Sequence, residues 1–250
     1  MTLIAHAKAY VAKNIASQFH QKRLDKLGKL ELSQILKRKN PYLFRAKAVT
    51  TAADLVRQLL EAHLSSSEEA LFGDFLEGLA ISICAKAFGG RKSTSEGIDL
   101  EFEREGFRYV VSIKSGPNWG NSSQIAKMIG AFSKARRIAG GQRHPVVAVN
   151  GCCYGKDASP EKETGNYSKL CGQDFWELIS GHPNLYVDLI EPLGHQALAR
   201  NEAFCDSHSA VLNKFTLAFS QDFCTSDGHI DWARLLVFNS GSSRFSATNA

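Results

Sequence analysis

A chain of 250 residues with 44% hydrophobic and 22% charged residues can bury a sizeable core and has the composition of an ordinary globular protein, so one domain with an appendage, or two at most, is expected. The N-terminal stretch is broken by Lys and His too early for a secretory leader, and no run reaches the roughly 18 apolar residues of a membrane span, so a cytoplasmic protein without a membrane partner is expected. The net charge of +5 is unevenly spread: residues 1–47 hold eleven Lys or Arg against two acids, and the acid-free stretch 121–143 carries Lys127, Lys134, Arg136, Arg137 and Arg143, which favours a polyanionic partner.

In chain order, Ile4, Ala7, Val11, Ile15 and Phe19 form a helical stripe that breaks near Gly28. Residues 31–44 predict a short helix stopped before Pro41. Thr51 is a candidate cap for a helix bearing Leu55, Leu59 and Leu60. A second long helix is expected from one of Ser65, Ser66 or Ser67 to Gly89 and Gly90. The stretch GIDLEFEREGFRYVVSIK, residues 97–114, then reads as a hairpin turning at Glu105 and Gly106, a type I′ pair. Pairing Phe102 with Tyr109 places Leu100 opposite Val111 and Asp99 opposite Ser112. One face carries Ile98, Leu100, Phe102, Tyr109, Val111 and Ile113; the other carries Asp99, Glu101, Val110, Ser112 and Lys114.

A loop, SGPNWGNSS, leads to a helix with Ile125, Met128, Ile129 and Phe132 as its buried stripe, and VVAVNGCCYG reads as a strand covered on both faces. Farther on, DFWELI and SAVLNKFTLAF look helical, LYVDLI looks like a strand, and the tail from Gly241 reads as frayed. Helix, hairpin, helix and strand in succession imply a mixed sheet with helices packed against it. The six cysteines lack paired C-x2-C spacing, so reduced, mostly buried thiols are the reading preferred over a metal cluster at Cys205 with His208 or at Cys224 with His229.

Asp99 on one strand and Lys114 on its neighbour are parts for metal-assisted phosphodiester hydrolysis. The carboxylate would hold a divalent cation, while the lysine would position the attacking water and offset phosphate charge. Oxygen ligands favour Mg²⁺ over zinc.

The D-x12-S-x-K arrangement in a hairpin resembles the PD-(D/E)xK nuclease superfamily. FGDFLEGLAISICAKAFGG, GIDLEF, VVSIKSGPNWGNSSQ, DFWELI and SDGHIDWARLL, scattered from residue 72 to residue 236, resemble the PmeII-type group of type II restriction endonucleases. The resemblance implies an α/β, restriction-endonuclease-like fold: a mixed central sheet flanked by helices, with a helical part at 1–66 for dimerisation or DNA embrace and an endonuclease core with a C-terminal extension at 67–250. It makes Asp99 the metal-binding aspartate and Lys114 the catalytic lysine, with the Ile113 backbone carbonyl as a further metal ligand. Ser112 stands where the superfamily has an acid, and Gly97 rather than proline precedes Ile98. The missing carboxylate would then come from a helix, with Glu77 the first choice and Glu69 and Asp74 behind it. Glu101 is either a supporting residue of the site or a solvated strand residue.

For DNA contact, the loop and helix after the hairpin offer Asn118, Trp119, Asn121 and Gln124, with Lys127, Lys134 and Arg137 for phosphates; the competing reading packs Trp119 and caps the helix with Asn121 or Ser122. The function so implied is Mg²⁺-dependent double-strand cleavage, with Mn²⁺ as substitute, at a short palindromic or interrupted palindromic site, leaving 5′-phosphate ends. The expected partners are double-stranded DNA, a second copy of the chain and a cognate DNA methyltransferase, in a bacterial or archaeal cytoplasm. Two alternatives stand beside it: a DNA-binding protein whose catalysis is weakened by Ser112, and a repair nuclease that reads DNA structure.

Overall fold

The computed structural model describes residues 1–139, 144–157, 167–194 and 197–242. The chain forms two compact units, one made of Met1–Phe19 with Glu69–Ala197 and the other of His20–Glu68 with Leu198–Ala250. This division differs from the single boundary expected after residue 66. The first helix belongs to the unit that holds the sheet, and the C-terminal helices belong with residues 20–68.

Helix α1 (Leu3–Ile15) is capped by the Thr2 hydroxyl, which accepts from the Ala5 amide, and it buries Ala7, Val11 and Ile15 at intervals of four residues. A π-helical stretch, Ala16–Gln21, leads to α2 (Lys22–Gly28), α3 (Leu32–Arg38) and α4 (Pro41–Ala46). Pro41 is not only a stop. Asn40 accepts from the Tyr42 amide and Pro41 occupies the first helical turn, so a new helix starts where the previous one ends.

Helix α5 (Ala52–Phe88) is continuous over 37 residues, where two helices with a serine cap between them were expected. Thr51 caps it, accepting from the Asp54 amide at 3.1 Å and donating to Asp54 Oδ2 at 2.8 Å. Ser66 lies inside the helix because its hydroxyl donates to the Ala62 carbonyl one turn back instead of capping a new start. Gly89, with φ +66°, ends it.

The sheet comprises β1 (Arg91–Lys92), β2 (Leu100–Arg104) and β3 (Phe107–Lys114), then, after α6 (Ser122–Ala139), β4 (Val146–Cys152) and β5 (Ser168–Cys171). The strands lie in chain order; β1, β2 and β3 are antiparallel, and β4 and β5 run parallel to β3. Helices α7 (Gln173–Ser180), α8 (Leu185–Asp188), α9 (Ile190–Gly194), α10 (Ala197–Phe223) and α11 (Trp232–Ser240) follow. LYVDLI is therefore helical rather than a strand, and the tail from residue 243 lies outside the described residues.

The hairpin has the register read from its turn: Leu100 faces Val111 and Phe102 faces Tyr109. Positive φ at both Glu105 (54°) and Gly106 (80°) is the type I′ geometry. Phe102 and Tyr109 stack with ring centroids 4.8 Å apart.

Leu100, Phe102, Val111 and Ile113 join a core with Ala7, Val11, Phe75, Leu79 and Ile83. On the other face Val110 and Ala148 pack with Met128, Phe132 and Ala135. Phe75 and Phe132, each fully buried, contribute about 1.5–3 kcal/mol apiece on opposite sides of the sheet. One expectation changes here, and one face is filled in. Ile98 precedes the β2 ladder, escapes its alternation and packs with Phe132, and the polar face of the hairpin is covered, leaving Ser112 and Glu101 buried.

The second unit has its own core, in which Leu27, Ile35, Phe44, Leu59 and Leu60 meet Phe215, Phe219, Phe223 and Leu235. Arg23 lies 3.4 Å over the Phe204 ring and pairs with Glu68 at 2.7 Å.

Candidate active site

Asp99 stands just before β2, opposite the C-terminal end of β3. Its amide still donates to the Val111 carbonyl at 2.8 Å, but the regular ladder begins only at Leu100, which frees its side chain to turn along the strand end. Asp99 Oδ2 accepts from the Ile113 amide at 2.6 Å and from the Ser112 hydroxyl at 3.4 Å. Lys114 Nζ lies 3.9 Å from the same oxygen, with both side chains about a quarter exposed (28% and 23%), so the pair is open to a ligand from solvent.

The Ile113 carbonyl belongs to the same edge. Along a strand the N–H and C=O of one residue point to one side, and successive residues alternate. The Lys114 carbonyl accepts from the Cys153 amide on the β4 side, so Ile113, whose amide meets Asp99, directs its carbonyl to the β2 side.

Helix α5 passes this strand end at Gly73, where an added Cβ would lie 3.5 Å from Ser115 Cβ. Glu77 comes one turn later on the same helix face. Burial first, and then the charge of Asp99, push the Glu77 carboxyl above the usual carboxylate range, while Lys92 pulls it back through an ion pair of 3.4 Å. Asp74 is exposed and adds only a small upward push; Glu69 is exposed and about 12 Å earlier along the helix. Of the three acids, Glu77 is the one brought into the field of Asp99.

The donor set fits a hard divalent cation. The Asp99 and Glu77 carboxylates, together with a main-chain carbonyl, offer oxygen ligands only, which suits Mg²⁺ and Mn²⁺ better than zinc. Among the described residues no group of three or more His, Cys, Asp or Glu converges on one point, so a cation here relies on two acids, the carbonyl and water or phosphate oxygens. The buried thiols are held protonated; burial pushes Cys84 up to about 12.

Lys92 was not legible as part of the site. It is an exposed lysine on a two-residue strand, and only its non-local pairing with Glu77 reveals it. Glu101 is not a solvated strand residue: it is 7% exposed and accepts from Arg108 at 2.6 Å, Ser93 at 2.5 Å and Arg91 at 3.4 Å. Burial raises its carboxyl, but these hydrogen bonds and charges outweigh that and hold it low. By gripping Arg91 it ties β1 to the hairpin, and β1 carries Lys92 toward Glu77.

The candidate DNA contacts fall into three groups. Trp119 is half-buried against the α6 side of the sheet and carries Lys114 Nζ 4.9 Å over its ring. Asn121 and Gln124 form a reciprocal cap, Gln124 amide to Asn121 Oδ1 and Asn121 amide to Gln124 Oε1, which occupies one oxygen of each. Asn118, Lys127, Lys134 and Arg137 are exposed. A cavity of about 510 Å³ is lined by Lys114, Trp119, Gln124, Lys127, Gly130 and Lys134, with Glu96 as its acidic lining residue; Asn118 and Arg137 lie outside it.

Two expectations follow for the acids and the serine. Replacing Glu77 by glutamine is expected to lower divalent-cation-dependent activity at least about a hundredfold, corresponding to roughly 2.7 kcal/mol, while Glu69→Ala leaves it unchanged. Because the Glu77 carboxyl is raised, a cation binding there is expected to displace a proton at pH below the raised value, with affinity climbing as pH rises through it. The same raised pKa means that its contribution to metal-free stability is present below the ordinary carboxylate range and is lost as pH rises through the shifted one. Calorimetric titration in buffers of different ionisation heat reads the proton release, which Glu77→Gln should remove. Ser112→Ala deletes one hydrogen bond to the Asp99 carboxylate, which its 3.4 Å length weakens to about 1 kcal/mol, and should slow cleavage by no more than about tenfold in a single-turnover assay.

A comparison with curated proteins gives no significant match. A family model described as Type II restriction endonuclease EcoO109I matches residues 5–201, a span that includes most of α1, the whole of α5, the hairpin with Asp99 and Lys114, and α6. With that match over more than half of its length, on a mixed sheet flanked by helices and a helical N-terminal part, the chain belongs to the EcoO109I family of type II restriction endonucleases.

Proposed function

We propose that this restriction endonuclease is Mg²⁺-dependent, with Mn²⁺ able to substitute, and that it cuts both strands of a short palindromic or interrupted palindromic DNA site to leave 5′-phosphate ends. The observation that carries the reading is Asp99 Oδ2, held by the Ile113 amide at 2.6 Å with Lys114 Nζ 3.9 Å away and Glu77 within its electrostatic reach. Asp99, Glu77 and the Ile113 carbonyl would hold the cation, which when bound would neutralise charge at the scissile phosphate and make a nearby water easier to deprotonate.

The residues of the chain do the rest. Lys114 orients the attacking water through its ammonium and offsets charge gathering on the phosphoryl oxygens. The water oxygen bonds to phosphorus as the bond to the 3′ oxygen breaks; the proton given up by water ends on the departing 3′ hydroxyl by way of solvent. Trp119 beneath Lys114 limits the side chain's wandering and keeps its charge near the reaction. The Asp99–Ile113 hydrogen bond fixes the carboxylate in advance, so no reorganisation is required when substrate arrives.

Two-fold DNA sites are matched by a two-fold protein, so the working form is taken as a homodimer in which each copy addresses one strand. A cognate DNA methyltransferase protects the host genome, and both act in the cytoplasm. The test is to incubate the purified protein with unmethylated phage DNA with and without Mg²⁺. Discrete Mg²⁺-dependent bands are expected. Mobility shift without cutting under any divalent cation would favour a binding protein disabled at Ser112, and cutting confined to flaps or mismatches would favour a structure-reading nuclease.

A further inference from the structure

Gly130 lies in the middle of α6, exposed, with nothing within 4 Å of the place a Cβ would take and without a positive φ. A glycine at such a position weakens the helix, because it loses more backbone freedom on folding than any residue with a side chain. Neither packing, a turn nor a left-handed backbone calls for it. What the bare helix surface faces is the cavity beside Lys114.

Lys127 stands three residues before Gly130 and Lys134 four after, so all three share one flank of the helix, and both lysines are exposed and line the same cavity. Seven residues of helix rise about 10 Å. One strand of duplex DNA advances ~3.4 Å per nucleotide, so the two lysines bracket about three nucleotides. Trp119 and Lys114 line the cavity too, which joins this flank to the reacting lysine.

We infer that the Lys127, Gly130 and Lys134 flank of α6 is a saddle for the sugar-phosphate backbone of the cleaved strand, immediately beside the scissile phosphate. The lysines neutralise phosphates at its two ends, and Gly130 leaves the middle flat so that the strand lies against the helix. The saddle positions DNA without reading its sequence. It rests on the DNA-cleavage reading above and adds to it the path of the strand.

The test combines Gly130→Leu with Lys127→Ala and Lys134→Ala, on a duplex carrying the site that the wild type cuts, with Ca²⁺ replacing Mg²⁺ so that binding is read without turnover. Gly130→Leu is expected to raise the melting temperature by about 2–4 °C, since a good helix former replaces glycine in open space. Its affinity for the duplex should fall by about tenfold or more, because the new side chain fills the strand's path. Each lysine variant should lower the slope of log affinity against log salt by about 0.9. Unchanged affinity in Gly130→Leu, unchanged salt slopes in the lysine variants, or a lowered melting temperature in Gly130→Leu would overturn the saddle while the nuclease reading stands. A wild type that binds no DNA would overturn that reading and the saddle together.

Discussion

Lys114→Ala is expected to reduce cleavage by at least about a thousandfold, a loss of some 4 kcal/mol of transition-state stabilisation, while leaving the fold intact. The side chain is about a quarter exposed and its ammonium interacts with Asp99 at 3.9 Å and the Trp119 ring, so truncation removes little packing. An exposed ion pair of this length contributes little to stability. The large effect on rate follows instead from position: Lys114 lies 3.9 Å from Asp99 and lines the cavity beside it, where the proposed function has it orient the attacking water. Lys114→Arg should not restore activity, because a planar guanidinium cannot take the place of a compact ammonium in a water-positioning role. Single-turnover cleavage with unchanged DNA affinity in Ca²⁺ would locate the loss in the chemical step.

Asp99→Asn is expected to be as severe for a different reason. The amide keeps the shape of the carboxylate and its oxygen can still accept from the Ile113 amide, so the hairpin end should keep its geometry. What it loses is the charge that recruits the cation. Rate should fall by at least about a thousandfold, and calorimetric titration with Mg²⁺ should show binding weakened or gone. Removing Asp99 also removes one of the influences that raise Glu77, so the carboxyl of Glu77 should titrate closer to its ordinary range in this variant. That shift can be read from the pH dependence of residual cation binding and distinguishes loss of a charge from loss of the fold.

The hairpin was legible because one local feature determined everything after it. A type I′ turn at Glu105 and Gly106 admits a single register, and the register places Asp99 beside Ser112 and Lys114. The expected order of helix, hairpin, helix and strand likewise followed from periodicity and glycine punctuation. Where the reading failed, the same residues offered a competing local bond or too short a run. Ser66 bonds back along α5 and so a cap signal became mid-helix sequence. Asn40 and Pro41 opened a helix where proline was read as an end. The apolar run at 185–190 was too short for periodicity to separate strand from helix, and it folded as two helical turns.

The site itself divides in the same way. Asp99 and Lys114 follow from strand alternation, but the choice of Glu77 over Asp74 and Glu69 depends on where α5 crosses the end of β3, which Gly73 against Ser115 decides. The burial of Glu101 and the reach of Lys92 depend on β1, a strand of two residues that carries no periodic signal. Non-local pairing of charged residues is written nowhere in a local window.

The most direct measurement is to digest unmethylated phage DNA with the wild type and with Asp99→Asn side by side in Mg²⁺ and to sequence every fragment end. The expected result is one short recurring sequence at all wild-type ends, each bearing a 5′-phosphate, and no new ends from the variant. Ends that share no sequence, or cutting that persists in Asp99→Asn, would contradict the assignment of the hairpin as the catalytic centre of a site-specific nuclease.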